Sequence, residues 1–451
     1  MARTEYLMSA AFAALIVATP IAAQQPVNSQ PVTSITLTDA VNRARLVSPT
    51  VVTAQGNIRS AALAERGGVV SFLPALTVSP QMSLQLANNP GQTSRIDPIT
   101  GDIISGNSTL PAYSFGASAS YTFFDGFQRN YTLRRERAQQ TSAAAQLTVS
   151  QYSSDFNTTD AFFVALADKQ LVAVAQSSVD AAQGQLQLAT AKLQAGSGQL
   201  SDSLTALGNF LQARLGLLTA QSNLIVGETN LGRLVGVSGQ VAAIDDSAFY
   251  HPTMLLDTAS VRREIMQSSP ALQSLQANVD AAEAAWKSSK GAYYPTLSAT
   301  GAQSWTGYYA HGTQPSSNTG LTARRSLSIT LSINPWTNLT RETQIENASI
   351  AITNAQVTLT DQRNQLAAQI NQAYASLSTA QETLNVTDVA VDAGRENLRV
   401  VTERYRAGVA TITEVLTAQN QLISAQSSQV QARYSYIRAK AQIEQILGRK
   451  I

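Results

Sequence analysis

The sequence predicts a mostly α-helical protein with a small membrane-spanning β part, built from a helix–strand–strand–helix unit that is written twice. Three observations carry this. Residues recur at a fixed offset in the two halves, four segments alternate apolar and polar residues, and most of the remainder repeats with helical or heptad spacing.

Composition narrows the field first. The 451 residues include no cysteine and two histidines, with 31 basic against 29 acidic side chains. Without cysteine there is no disulfide framework, zinc–thiolate site, cysteine nucleophile or lipidated N-terminal cysteine. The near balance of charge argues against a nucleic-acid binder, which needs a basic face. Only 13% of the residues are charged, about half the usual share, so Gln, Ser, Thr, Asn and Ala keep the surface wet. At the N-terminus, Arg3, the apolar run Leu7 to Ala18 and the small residues Ile21-Ala22-Ala23 read as a secretory signal over 1–23. No later stretch reaches the ~18 apolar residues of a spanning helix. Any membrane crossing must therefore use strands.

The repeat is visible residue by residue. Ser48-Pro49 and Ser269-Pro270 stand 221 positions apart, as do Phe72-Leu73-Pro74-Ala75-Leu76-Thr77 and Tyr293-Tyr294-Pro295-Thr296-Leu297-Ser298. Further on the offset reads as 210, pairing Glu136 with Glu346, Ala138 with Ala348 and Gln146 with Gln356. It then reads as 212, pairing Ala195-Gly196 with Ala407-Gly408, Leu204 with Leu416 and Gly236 with Gly448. These offsets imply 11 extra residues between the strands of the first half and a two-residue gap inside a helix. The expected division is a first repeat over 24–236, a polar connector over 237–257 (Gly239, Asp245, Asp246, His251, Pro252) and a second repeat over 258–451.

Strands are expected at about 74–88, 111–125, 295–309 and 324–334. In the first, Leu76, Val78, Met82, Leu84 and Leu86 alternate with Thr77, Ser79, Gln81, Ser83 and Gln85. In the second, Tyr113, Phe115, Ala117, Ala119, Tyr121 and Phe123 alternate with Ser114, Gly116, Ser118, Ser120 and Thr122. The fourth sets Leu327, Ile329, Leu331 and Ile333 against Ser326, Ser328, Thr330 and Ser332; the third is weaker because Gln303 interrupts its Leu297, Ala299 and Trp305 face. A period of two gives one apolar and one polar face. Phe72, Phe124, Phe127, Tyr293, Tyr294 and Trp336 gather at one end of these strands, and Tyr113, Trp305, Tyr308 and Tyr309 at the other. Two aromatic girdles bounding an apolar band of 9–11-residue strands is the pattern of an outer-membrane barrel. Four strands cannot close, and an open edge in lipid leaves backbone groups unpaired at several kcal/mol each. One chain must share its barrel with copies of itself. The polar stretches 89–110 and 310–323 read as outer loops. Arg324 and Arg325 begin the last strand at the outer mouth, either as ordinary rim arginines or paired with lipopolysaccharide phosphates.

Helices are expected at about 38–72, 127–195, 199–235, 258–294, 337–406 and 411–447. At ~1.5 Å per residue the two long ones reach ~105 Å and the short ones ~50–55 Å, so two short helices end to end match one long one. The last helix carries two heptad seams. One runs Val415, Ala418, Leu422, Ala425, Ala432, Tyr436, Ala439, Ile443 and Ile446, the other Leu416, Ile423, Val430 and Ile437. A two-stranded coiled coil needs one seam; two mean neighbours on both sides.

Chemistry is sparse. His251 and His311 lie in polar loops and have no third histidine to join, and Gly196-Ser197-Gly198 lacks the strand and lysine of a phosphate loop. No nucleophile–base pair is visible, so neither an enzyme nor a bound cofactor is expected. The repeat-equivalent turns Leu193–Asp202 and Tyr405–Glu414 are more informative. Glycine ends one helix, Ser201 or Thr413 begins the next turn region, and Asp202 or Glu414 is favoured near a helix N-terminus. At the end of a multi-copy tube each such acid becomes a ring, and a carboxylate ring selects cations.

In their order the duplicated plan, the Ser48-Pro49 and Ser269-Pro270 entries, the Phe124-Asp125-Gly126 strand exit, the Tyr405 to Gln419 segment and the closing Leu447-Gly448 resemble the TolC-type outer-membrane efflux protein family. The resemblance implies a homotrimer whose 12-stranded barrel in outer-membrane lipid continues into a 12-helix periplasmic tunnel. It implies a passive exit channel of a tripartite efflux or type I secretion system, docked to a periplasmic membrane-fusion adaptor and an inner-membrane pump. It places adaptor contacts at Gly196, Ser197, Leu200, Gly408, Val409 and Ile412, and a periplasmic constriction at Tyr405, Glu414, Asp202 and Thr417. Ala410 and Thr417 stand where well-known members carry an arginine and a second acid. A soluble periplasmic helical scaffold is the alternative; it accounts for the seams but not for the girdled strands.

Overall fold

The computed structural model describes residues 33–85, 94–96, 101, 103–105, 110–245, 258–308 and 322–447. The signal segment, both histidines, Tyr309 and Gly448 lie outside the described residues.

A three-residue strand β1 (Thr33–Ile35) leads into α1 (Leu37–Val47), whose first turn is capped by the Thr36 hydroxyl accepting from the Asp39 amide at 3.2 Å. The helix expected over 38–72 is in fact two, α1 and α2 (Pro49–Val70). Pro49 has no amide hydrogen and forces Ser48 out of the helical region, to ψ 122°.

The strands follow: β2 (Ala75–Gln85), then β3 (Ser94–Ile96) and β4 (Ile103–Ser105), which pair with each other inside the stretch read as a plain loop, then β5 (Leu110–Phe124). The long α3 (Gln128–Gln194) and the shorter α4 (Leu200–Leu234) complete the first half. The connector is not wholly polar loop, since β6 (Val241–Ala243) pairs in parallel with β1, burying Val241 completely and Ile35 and Ala243 nearly so. Three residues are too few to show a period of two.

In the second half the helix expected over 258–294 is again split, into α5 (Thr258–Ser268) and α6 (Pro270–Lys290), with Ser269 at ψ 122° before Pro270. Strands β7 (Thr296–Tyr308) and β8 (Thr322–Ser332), the long α7 (Thr340–Arg406) and α8 (Ile412–Leu447) follow. Helices α3 and α7 have 67 residues each, and both their starts and their ends are 212 apart. The offset is therefore constant beyond the strands, and the two-residue gap does not exist. The matches at 210 are accidents of helices rich in Ala, Gln and Glu. A fall from 221 to 212 leaves nine extra residues in the first half instead of 11.

Helices α2, α4, α6 and α8 all pack on α3, and α6 and α8 also pack on α7. The two short pairs thus alternate with the two long helices in a wall four columns wide. Helix α8 has the two neighbours its seams require: Val415, Ala418, Ala432, Tyr436, Ala439 and Ile443 are buried along one, and Leu416, Val430 and Ile437 along the other. The main core sits where the short helices meet midway along α3. There Phe162, Phe163 and Leu166 pack with Leu231, Val241, Ile265, Ile370 and Tyr434, and the Phe162 and Phe163 rings meet edge to face at 5.5 Å.

Candidate functional site

Three places in this frame carry the candidate residues: the sheet, the far tip of the helices, and a cleft between α3, α4 and α8.

The sheet has the order β2-β5-β7-β8, antiparallel throughout. The ladder aligns Leu76, Ala119, Gly301 and Leu327 across one face, and Thr77, Ser118, Ala302 and Ser326 across the other. The apolar face is bare: Leu76, Met82 and Leu327 are 75%, 79% and 81% exposed. Strands β2 and β8 each have one unpaired edge. An exposed apolar face with two free edges is an aggregation template in water and is unstable alone in lipid.

The sheet joins the helices through a repeated clamp. Gly126 turns the chain at φ 66°, and Asp125 then binds Arg129 Nε at 2.8 Å. Arg129 also donates to the Thr122 carbonyl at 2.7 Å and lies 5.1 Å from the Phe72 ring centre. In the second repeat Arg341 lies 4.1 Å from the Tyr293 ring and donates to the Asn334 carbonyl at 3.3 Å. Phe72 and Tyr293, at the expected inner aromatic level, also carry these guanidinium groups.

At the far tip α3 and α7 end in the same way. Gly196 and Gly408 take φ 71° and 78°, and the Ser197 and Val409 amides reach back to the Lys192 and Arg404 carbonyls at 3.0 and 2.9 Å. The next helices start at Leu200 and Ile412, within one residue of the expected 199 and 411. The N-caps are Gln199, whose side chain makes no capping bond, and Thr411. Thr411 and Glu414 form a reciprocal capping box, the Glu414 amide donating to the Thr411 hydroxyl at 3.3 Å and the Thr411 amide to the Glu414 carboxylate at 3.2 Å. The spacing Thr411-Ile412-Thr413-Glu414 is that motif's signature and was legible in advance.

The structure gathers the expected constriction residues at this tip. Glu414 is half exposed, with Arg404 Nη1 3.9 Å from its second oxygen. Thr417 is exposed and donates to the Thr413 carbonyl at 2.8 Å. Tyr405 is only 4% exposed and packs with Ile412, Val415 and Leu416 inside the protomer. Burial, and then the nearby Asp202 carboxylate, push the Tyr405 phenol up. Lys192, which nothing in the sequence singled out, lies 4.0 Å from the Tyr405 ring centre and donates to the Tyr405 carbonyl at 2.5 Å. Of the expected adaptor contacts, Gly196, Ser197, Leu200, Gly408 and Val409 are exposed, whereas Ile412 is buried.

The cleft, about 410 Å³, is lined by Asp168, Asn209, Gln212, Asn223, Asn420 and Ile423 among others. Burial raises the Asp168 carboxyl; it also raises Glu228 on α4, against a smaller opposing pull from Lys169. Carboxylates raised on folding keep protons that the unfolded chain has lost. Their packing is therefore most stable below about pH 4, the unfolded value, and weakens as pH rises through the raised values. Amide protection factors at the α4 end are expected to fall over that window, and Glu228→Gln with Asp168→Asn to flatten the fall. An equally steep fall in the double variant would contradict the assignment. Among the described residues no group of His, Asp or Glu suits a metal ion, and no helix is long and apolar enough to cross a membrane.

Comparison with known proteins decides what this architecture is. Residues 40–237 and 261–449 match the family described as outer membrane efflux protein. The chain belongs to that family. The match covers both helix–strand–strand–helix units, and the efflux protein's place in the outer membrane follows, as does its work as an efflux channel. The soluble scaffold is not favoured. Its fold is shared by the Campylobacter jejuni CmeC outer membrane channel, at 15% identity and TM-score 0.75 over 91% of this chain and 85% of that one. It is shared too by the outer membrane protein VceC from Vibrio cholerae, at 15% and 0.74 over 92% and 96%. The open state of the Neisseria gonorrhoeae MtrE outer membrane channel gives 16% and 0.71 over 92% and 89%. No curated protein matches the sequence.

Proposed function

We propose that three copies of this efflux protein assemble around one axis into a passive exit duct. The open sheet carries the reading: its four strands leave an apolar face bare and two edges unpaired. Three copies supply twelve strands, with β8 of each pairing with β2 of the next, and the closed cylinder satisfies every edge in lipid. The four columns per copy then form a twelve-column tunnel below it. The repeats over 24–236 and 258–451, with 237–257 between them, are the two halves of each copy's share.

The helix tips form the periplasmic entrance. There Leu200 and Val409, 61% and 69% exposed, offer apolar contacts to a membrane-fusion adaptor beside Gly196, Ser197 and Gly408. Ile412 supports these turns from beneath. An inner-membrane pump supplies the energy, since the chain catalyses no reaction and binds no cofactor in this scheme. Asp202, Glu414 and Thr417 repeat around the axis as polar rings, while Tyr405 acts as an internal post that Lys192 holds in place. The reconstituted protein is expected to conduct ions with a preference for cations, and Glu414→Gln to cut that preference about twofold or more by removing three charges from one ring. A reversal potential identical in the two proteins would contradict the ring.

A further inference from the structure

Arg324 and Arg325 are neighbours in sequence but opposites in the sheet. Arg324 pairs across β7 with Ser304 and falls on the polar face; Arg325 pairs with Gln303 and falls on the apolar one, in line with Leu327, Ile329 and Leu331. The break that Gln303 makes in the apolar face of β7 is thereby explained. Arg325 Nε donates to the Gln303 Oε1 atom at 2.7 Å, so each polar side chain is the other's cross-strand partner. Arg325 is exposed and has no carboxylate partner among the described residues. Both of its terminal nitrogens and the Gln303 amide nitrogen remain as donors beside this bond.

The level of this pair in the membrane follows from the ladder. The helices leave the sheet at Phe124 and Ser332, so Arg325 stands towards the opposite, outer end. From Arg325 to Ile333 the strand runs about 27 Å, or about 20 Å along the axis of a tilted barrel, close to the height of the apolar band. Two residues further out along β7, on the same face, Trp305 packs on Phe115 with ring centres 5.4 Å apart, at the outer aromatic level. A cation on the lipid face is costly at mid-membrane but tolerated at this margin, where its head reaches the interface.

We propose that Arg325 and Gln303 form a notch on the lipid face that binds a phosphate of an outer-leaflet glycolipid headgroup. The forked guanidinium gives two charge-assisted bonds to phosphate oxygens and the Gln303 amide a third. The adjacent Leu327 and Ile329 lie against its acyl chains. The proposal rests on the barrel reading, because only a closed barrel presents this face to lipid.

The test is native mass spectrometry of detergent-solubilised wild type, Arg325→Gln and Arg324→Gln, each offered bis-phosphorylated lipid A, its dephosphorylated form, or inorganic phosphate. Wild type is expected to retain the phosphorylated lipid about tenfold over the dephosphorylated one. Arg325→Gln is expected to lose that preference, Arg324→Gln to keep it, and millimolar inorganic phosphate not to displace the lipid. An undiminished preference in Arg325→Gln, an equal loss in Arg324→Gln, or displacement by free phosphate would overturn the proposal while leaving the trimer intact. A wild-type spectrum without three-copy particles would overturn the barrel reading and this notch with it.

Discussion

Gly126→Ala is expected to destabilise the efflux protein by about 2–5 kcal/mol, an effect far beyond that of one added methyl group elsewhere. Gly126 turns the chain from β5 into α3 at φ 66°, where a β-carbon itself costs about 1–2 kcal/mol. That carbon would also fall on the Gly291 carbonyl oxygen and within 2.9 Å of the Tyr294 β-carbon. Gly291 is just as crowded, its own β-carbon position being taken up by Gln128 and the Gly126 carbonyl. The obstructing atoms are mostly backbone, held by the end of α6 on one side and the Asp125–Arg129 clamp on the other, so nothing yields cheaply. The expected readout is a thermal midpoint lowered by roughly 10 °C. Gly184→Ala is the control: it lies within α3 with nothing inside 4 Å of the added carbon, and alanine there is expected to stabilise by about 0.5–1 kcal/mol. Equal behaviour of the two variants would refute the crowding argument.

Leu211→Glu combined with Leu218→Glu is expected to abolish the assembled particle while leaving the protomer folded. Helix α4 buries Ala206, Gly227 and Leu231, yet Leu200, Leu204, Leu211, Leu215 and Leu218 are 50–61% exposed in one copy. Leu204, Leu211, Leu218 and Ile225 recur every seventh residue, the spacing of a coiled-coil seam with no partner helix in the same chain. In the proposed trimer the partner is the outer side of α7 in the next copy, where Val386 and Val389 are 58% and 70% exposed. Each leucine buried there contributes about 1.5–3 kcal/mol, and an unpaired carboxylate in its place costs several more. The change is multiplied by three interfaces. Sedimentation in detergent is expected to show single copies with wild-type helical content; a persisting trimer would move the interface elsewhere.

What the sequence disclosed, and what it hid, divides along physical lines. Features repeated many times were legible. The heptads of α8 announced two neighbours, the alternation in β8 named its bare face, and Gly196 and Gly408 marked the tips. Features that depend on one residue or on distant partners were not. Ser48-Pro49 and Ser269-Pro270 were read as landmarks of the repeat, but helical periodicity continues across them and hid the breaks. The 210 offset arose because helices made of few residue types match one another by chance. Lys192 meets Tyr405 from 213 positions away, and no local pattern encodes such a meeting. Tyr405 is expected at the constriction from its place beside a turn; the packing of Ile412 and Leu416 around it shows it buried inside the protomer. The contacts of Arg129 with Phe72 and of Arg341 with Tyr293 likewise join residues far apart in the chain.

The most direct test of the assembly is the copy number and membrane behaviour of the full-length wild-type chain. Membranes washed at alkaline pH should retain it, and the particle released by detergent should contain three copies, stable to mild heating. A single copy found in the aqueous wash, folded and free of detergent, would contradict the closed barrel.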